Sequence, residues 1–387
     1  MNIIQKSAGA IKKLPGIIKA NIHLNKKSIL LCLVTAAVLS AGVIWVFHDY
    51  QNYTAPIAKI TKAVNAPSEK SKENSAGEKY YDQALTGVLL NGSHKGSQIS
   101  MQNQYSQSGV YDDEYKAGDE VFVQLDPVSG DKLTGTVTGL KRDKYIAVLS
   151  ALFILLIILV IGKRGFMPIL SLLANIAVFW YALDLYAGGR NILFLSNCLV
   201  LFFTFVSLLF IGGINRKTFA AILSTLVSIA VTMLIFKIVM YFTDGVDYAF
   251  MEYIASPNDL PEIFMSQILL GGLGAVMDVA ITEAATINEL IAKDRDISLK
   301  ELIKSGREVG HDIMGTMINI MLFTYVSGSI PLIILKMKSD IRLHTIVLWH
   351  MPMELYRFLV GSIGILLSIP ISLFIAVFLF KKWRRLA

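Results

Sequence analysis

Three carboxylates occupy one apolar run that is long enough to cross a bilayer. From about Ile263 to Ile291 the chain reads as one hydrophobic span, and it carries Asp278, Glu283 and Glu289. At ~1.5 Å rise per residue, such a run covers a hydrocarbon core of about 30 Å. At roughly 100° per residue, Gln267, Gly271, Gly274, Asp278, Thr282, Ala285 and Glu289 fall on one stripe, small or polar throughout. A carboxylate inside the membrane costs at least ~2.5 kcal/mol unless it faces protein, water or an ion. Glycines such as Gly271 and Gly274 let neighbouring helices approach closely. The chemistry on offer is ion or proton ligation, or a gating contact, and the span is expected to be central. Glu283 lies roughly 140° from the stripe and faces a different neighbour.

Two later spans repeat the pattern. In 309–335, Asp312, Thr316 and Asn319 share a face, Ser305 and Glu308 continue it, and Gly315 lies on its shoulder. In 353–380, Glu354, Arg357, Gly361, Ser368 and Ser372 share a face with Gly364 at its edge. Glu354 and Arg357, three residues apart, can pair and so lower each other's burial cost. The expectation is a polar centre built from Asp278, Thr282, Glu289, Asp312, Thr316, Asn319, Glu354 and Arg357. Its helices would pack through Gly271, Gly274, Gly315, Gly361 and Gly364. Plainer readings stand beside this one. Asp278 can be a structural polar contact, Glu289 a solvated boundary carboxylate and Asp312, next to His311, an interfacial one. Asn319 can simply hydrogen-bond across helices, and Ser224, Ser228 and Thr232 of the fifth span can be packing residues.

Soluble-enzyme chemistry finds no support. The chain has no GxSxG, HExxH, Walker A, GxGxxG or CxxCH pattern, and Gly271-Gly272-Leu273-Gly274 lies inside a membrane run with no preceding strand. Cys32 and Cys198 each fall in an apolar run, which argues against a disulfide framework or a cysteine metal site. Asp278 and Asp312 invite comparison with intramembrane aspartyl proteases, but the surrounding catalytic motif is missing. The expectation is a protein with no enzymatic activity, no metal and no cofactor.

The elements that must position these residues follow from composition. The 387 residues are 54% hydrophobic and 17% charged, with mean hydropathy +0.56, which is membrane-protein composition. The net charge of +7 lies largely in Lys6 to Lys27, before the first span, and in Lys381 to Arg385, after the last. Such flanks set topology rather than bind nucleic acid. Residues 1–27 are read as a cytoplasmic basic segment and 28–47 as an uncleaved signal anchor. Residues 48–79 are read as a flexible linker. Residues 80–142 carry short runs broken by Asn91-Gly92, Gly118-Asp119 and Ser129-Gly130, as in a small extracytoplasmic β-barrel or sandwich. Residues 145–381 then form a seven-helix membrane domain, with spans near 145–162, 166–186, 191–212, 217–242, 263–291, 309–335 and 353–380. The fold class is thus an α-helical membrane protein with about eight transmembrane helices and a small β-rich domain between the first two. Lys163-Arg164, Asn215-Arg216-Lys217 and Lys293 to Arg307 alternate to the cytoplasmic side. The acidic loop Thr243–Glu262 suits the outer face. Lys336, Lys338 and Arg342 fall on the external side of this count, and the amphipathic stretch 341–350 suits the interface.

The residues also carry a resemblance. Gly274-Ala-Val-Met-Asp-Val-Ala with Asn288-Glu289-Leu290, then Gly306-Arg307 through Gly315-Thr316-Met317-Ile318-Asn319, then Glu354-Leu-Tyr-Arg357-Phe-Leu-Val-Gly361 resemble three blocks of the bacterial YibE/F-like membrane protein family. The resemblance runs from about Ile146 to the C-terminus. The exported segment with Tyr115-Lys116-Ala117-Gly118-Asp119 is similar to that of the longer, YibE-type members. Glu283 and Ile320 depart from the family's pattern, which has a small or hydroxyl residue and a Thr there. The resemblance implies a multi-spanning protein of the bacterial cytoplasmic membrane, with a shorter paralogue or a second copy as partner beside the lipid bilayer. It brings no settled substrate.

Two functions are weighed. The first is a transporter or permease for a small solute or ion, using a polar centre of the sixth to eighth spans. The second is an envelope sensor or assembly scaffold acting through the extracytoplasmic β-domain. Both place the two termini in the cytoplasm and residues 48–142 outside.

Overall fold

The computed structural model describes residues 26–69, 79–109, 112–126, 133–243, 245–246, 248, 260–294 and 296–384. The basic segment before residue 26 and most of the acidic loop between Thr243 and Glu262 lie outside them. The chain forms two compact units that divide between Gly165 and Phe166.

In the first unit, helix α1 (Lys26–Val46) packs beside α2 (Asp143–Ile161). Between them in sequence lie β1 (Ile57–Pro67), β2 (Tyr80–Leu89), β3 (Gln98–Ser106), β4 (Glu120–Leu125) and β5 (Leu133–Leu140). The strands close a barrel in the order β1-β2-β3-β5-β4. All pairings are antiparallel except β3 with β5. Alternate residues turn inward, and Ala58, Ile60, Leu85, Leu89, Ile99, Met101, Val121 and Val123 form the core with Tyr115. Pairing of β1 with β4 over Ile57–Lys59 closes the sheet, so every strand has two neighbours over part of its length. The linker expected over 48–79 is corrected here. β1 occupies eleven of its residues and pairs with both β2 and β4. Lys59, Lys62 and Asn65 made the stretch look unstructured, yet the outer face of a barrel accepts them.

In the second unit, α3 (Phe166–Ala187), α4 (Ile192–Gly212), α5 (Arg216–Phe242), α6 (Leu260–Gly271), α7 (Leu273–Lys293), α8 (Leu299–Lys338), α9 (Leu343–Trp349) and α10 (Pro352–Arg384) follow. Helices α5, α7 and α10 form the centre, α8 lies against α7 and α10, and α4 bridges α3 and α6. Small residues allow this density. Ala220, Ala221, Ala280, Ala284 and Ala376 are fully buried where Ile287, Leu302 and Phe380 also meet. The expected span 263–291 is interrupted: α6 ends at Gly271 and α7 begins at Leu273. Helix α8 starts ten residues earlier than the 309 expected. Ser298 caps it reciprocally with Glu301, so most of the segment expected to be a charged loop is its first turns.

Among the described residues, six helical runs are long and apolar enough to cross a membrane. They are Asp143–Ala187, Ile192–Gly212, Arg216–Phe242, Leu260–Lys293, Leu299–Lys338 and Pro352–Phe380, and Leu30–Val46 is a shorter apolar helix. The first of them, 45 residues long, contains a 3₁₀ turn at Gly162–Gly165.

Candidate functional site

Close packing surrounds Gly272, whose backbone keeps right-handed helical angles. Gly272 and Gly361 bring α7 and α10 into backbone contact: a β-carbon on Gly272 would lie 3.4 Å from the Gly361 Cα. The Tyr325 hydroxyl of α8 fills the space that a β-carbon on Gly271 would need, and Met321 does the same at Gly361. A cavity of about 20 Å³, the size of one water, lies beside the break. Thr232, Leu269, Gly272, Val276, Gly361 and Gly364 are among its lining residues.

Close to Gly272 is a charged group of this unit. Arg357 pairs with Glu354 one turn earlier on α10. Its Nη2 donates to Gln267 Oε1 of α6 at 2.5 Å. The guanidinium stacks over Phe264, 5.7 Å from the ring centroid, a contact that suits a partly desolvated cation. Glu354 and Arg357 are thus joined by Gln267, which the stripe on the interrupted helix had placed on the right face.

The other expected site residues are not drawn into this group. On α7, Asp278 and Glu289 are exposed and Thr282 is half-buried. Thr282 donates to the Asp278 backbone carbonyl. The C-terminal half of that stripe, with Thr282, Ala285, Thr286, Glu289 and Lys293, lines an open groove of about 790 Å³. On α8, Asp312, Thr316 and Asn319 are exposed, Thr316 donates to the Ile313 carbonyl, and Gly315 faces open space. Gly274 also has nothing within 4 Å. Among the described residues, no hydrogen bond or ion pair joins these side chains across helices. A single centre fed by all three stripes is therefore not assembled within one chain. The reason is the face α8 uses: it packs through Gly306, Gly310 and Met321, and Asp312, Thr316 and Asn319 lie on the opposite side of the helix.

Two further features lie outside the expected centre. Glu283, off the stripe, is fully buried with both carboxylate oxygens unpartnered. In the first unit, fully buried Lys141 links three elements. Its Nζ donates to Asp49 at 2.9 Å, to Asp143 of α2 at 2.8 Å and to the carbonyl of Val46, the last residue of α1, at 3.0 Å. The Tyr53 hydroxyl donates to the same Asp143 carboxylate at 2.6 Å. The Lys141 amide, meanwhile, donates to the Glu120 carbonyl of β4. Burial alone would lower the Lys141 ammonium, but its hydrogen bonds to Asp143 and Asp49 hold it above its ordinary value. The Tyr53 phenol is pushed up to about 12, first by its hydrogen bond to Asp143 and then by burial. The signal available in the sequence was Asp49 placed just after one span and Lys141-Arg142-Asp143 just before the next.

No curated protein and no solved structure matches the chain. Family models do match it. Residues 51–140 match the YibE/F family N-terminal domain, which sets the domain's start before β1 rather than at residue 80. Residues 149–382 match the YibE/F-like protein model. With the barrel and the helical unit both accounted for, the chain belongs to the YibE/F-like family.

Proposed function

We propose that the chain is a multi-spanning permease for a small solute or ion in the bacterial cytoplasmic membrane. The observation that carries this reading is the exposed face of Asp278, Thr282 and Glu289 within the apolar Leu260–Lys293 run, with an open groove along its C-terminal half. Asp278 facing acyl chains would cost at least ~2.5 kcal/mol, so water or a second protein must face it. A further copy of the chain or a shorter paralogue is the partner proposed for that face.

The span count proposed is eight. The 45-residue run Asp143–Ala187 would measure about 68 Å as a straight helix, twice a bilayer core, and its 3₁₀ turn divides it into helices of 19 and 22 residues. With α1 as the first span, both termini lie in the cytoplasm and the barrel lies outside.

The test is flux into and out of proteoliposomes holding the full chain, over a panel of inorganic ions and small polar solutes. Asp278→Asn and Arg357→Ala, inserted at normal levels, are expected to reduce flux of the transported species at least tenfold. Flux no greater than that of empty liposomes, or variants as active as the wild type, would reject the reading.

A second reading, a sensor or scaffold, is favoured by the Lys141 group. It ties the barrel to the end of α1 and the start of α2, so a load on the barrel reaches both helices. On that reading, deleting residues 51–140 abolishes function and Asp278→Asn leaves it intact.

A further inference from the structure

Glu283 lies on α7, fully buried, and neither carboxylate oxygen has a hydrogen-bond partner. Its walls come from three helices. Helix α8 offers two glycines: a β-carbon on Gly306 would come 3.3 Å from Oε2, and one on Gly310 would overlap Oε1. Ile369 and Leu373 of α10 close against the same two glycines, and Ile287 of α7 reaches Gly306 as well. At these two glycines the wall is therefore backbone and hydrocarbon.

Among the described residues, no charged side chain lies within hydrogen-bond or ion-pair reach of this carboxylate. The residues flanking the glycines in sequence, Arg307, Glu308 and His311, are all exposed. Asp278 and Glu289, on the same helix as Glu283, are exposed too. Helix α5, against the other side of α7, buries hydroxyls but no ionisable side chain. Helix α4 has no charged residue, Glu262 of α6 is half-buried and accepts from Asn191, and Arg357 of α10 is held by Glu354 and Gln267. A metal ion would need several ligands, and among the described residues no group of three or more His, Cys, Asp or Glu side chains could hold one. A proton needs only the carboxylate.

We propose that Glu283 is a proton-binding site inside the helical unit, and that releasing the proton loosens the contact between α7 and α8. The carboxyl group takes its proton from bulk water and returns it there; only the O–H bond forms or breaks. The neutral acid suits a partnerless pocket, whereas the ion demands water or a counter-charge. The glycine pair is the wall that can yield, because it is held to Glu283 by no hydrogen bond. The site stands whether or not the chain is a permease. On the permease reading, it names the proton as the coupled ion.

The test uses the full chain in phospholipid nanodiscs. Infrared spectra recorded from mildly acidic to alkaline pH are expected to show a carboxylic-acid carbonyl band that fades with alkali and is absent from Glu283→Gln. Hydrogen exchange over residues 302–314 is expected to rise with pH at least threefold more in the wild type than in Glu283→Gln, which cancels the intrinsic pH dependence of exchange. Glu283→Gln keeps the shape and neutrality of the acid, so it is expected to fold. The proposal is overturned if the wild type lacks the band, if the band survives in Glu283→Gln, or if both proteins exchange alike. Absent flux with a titrating band would reject the permease and leave the proton site standing.

Discussion

The Glu283 carboxylate of α7 occupies the space that a β-carbon on Gly310 of α8 would need. The relationship makes the two positions interdependent. Gly310→Ala must displace both the carboxylate and Ile369, whose Cγ2 would lie 2.6 Å from the new carbon. Overpacking of this kind costs ~1–3 kcal/mol. Gly315→Ala, in the same helix with nothing within 4 Å, is expected to be neutral or slightly stabilising. Thermal unfolding in detergent, read by loss of helical circular dichroism, distinguishes them. Equal effects would contradict the packing described for α8.

Lys141 should dominate the stability of the barrel joint. Removing one partner of a buried ion pair strands the other and costs ~3–5 kcal/mol. Lys141→Ala leaves buried Asp49 without its partner, and the barrel is expected to melt at clearly lower temperature. Arg142→Ala removes an exposed pair with Asp113 and should cost less than ~1 kcal/mol. Tyrosine fluorescence of the full chain through a thermal ramp checks both.

The same joint should weaken in alkali. Lys141 and Tyr53 both hold their protons more tightly in the folded chain than in the unfolded one. Between about pH 10 and the raised folded values, the folded state therefore binds more protons than the unfolded state, and stability falls as pH rises. Below about pH 10 the contribution is complete. Tyr53→Phe is expected to shrink the alkaline loss, seen as a flatter dependence of the barrel's melting temperature on pH. An unchanged dependence would contradict the assigned hydrogen bond to Asp143.

Arg357 bridges α10 to α6 through Gln267. Arg357→Lys cannot hold Glu354 and Gln267 with one planar fork, so hydrogen exchange around residues 264–271 should rise. Gln267→Glu, which offers the same guanidinium a charged acceptor, should lower it. A rise in both variants would show that the bridge does not order α6.

Much of this was legible in the sequence. Apolar runs of span length, Asn-Gly and Gly-Asp turns and the pairing of Glu354 with Arg357 depend on neighbours close in sequence, and each left a local pattern. β1 did not, because a barrel strand needs apolar residues only on its inner face and pairs with β4 across a long stretch of chain. The polar stripes were read as faces, but periodicity does not say which face a neighbour covers. For α8, the glycine face with Gly306 and Gly310 packs and the face with Asp312 and Asn319 does not. Glu283 looked like a departure from a pattern and is the most deeply buried acid described. Its partners, two glycines, leave no chemical signature.

The most direct measurement is reaction of single cysteines with a water-soluble thiol reagent, in full chain carrying Cys32→Ser and Cys198→Ser and reconstituted in a bilayer. Thr282→Cys and Asp278→Cys, on the α7 stripe, are predicted to react from one side of the membrane, while Leu359→Cys, on an exposed apolar face of α10, stays inert. Stripe cysteines as inert as the one at residue 359 would mean that no water reaches this face, and the permease account would fail.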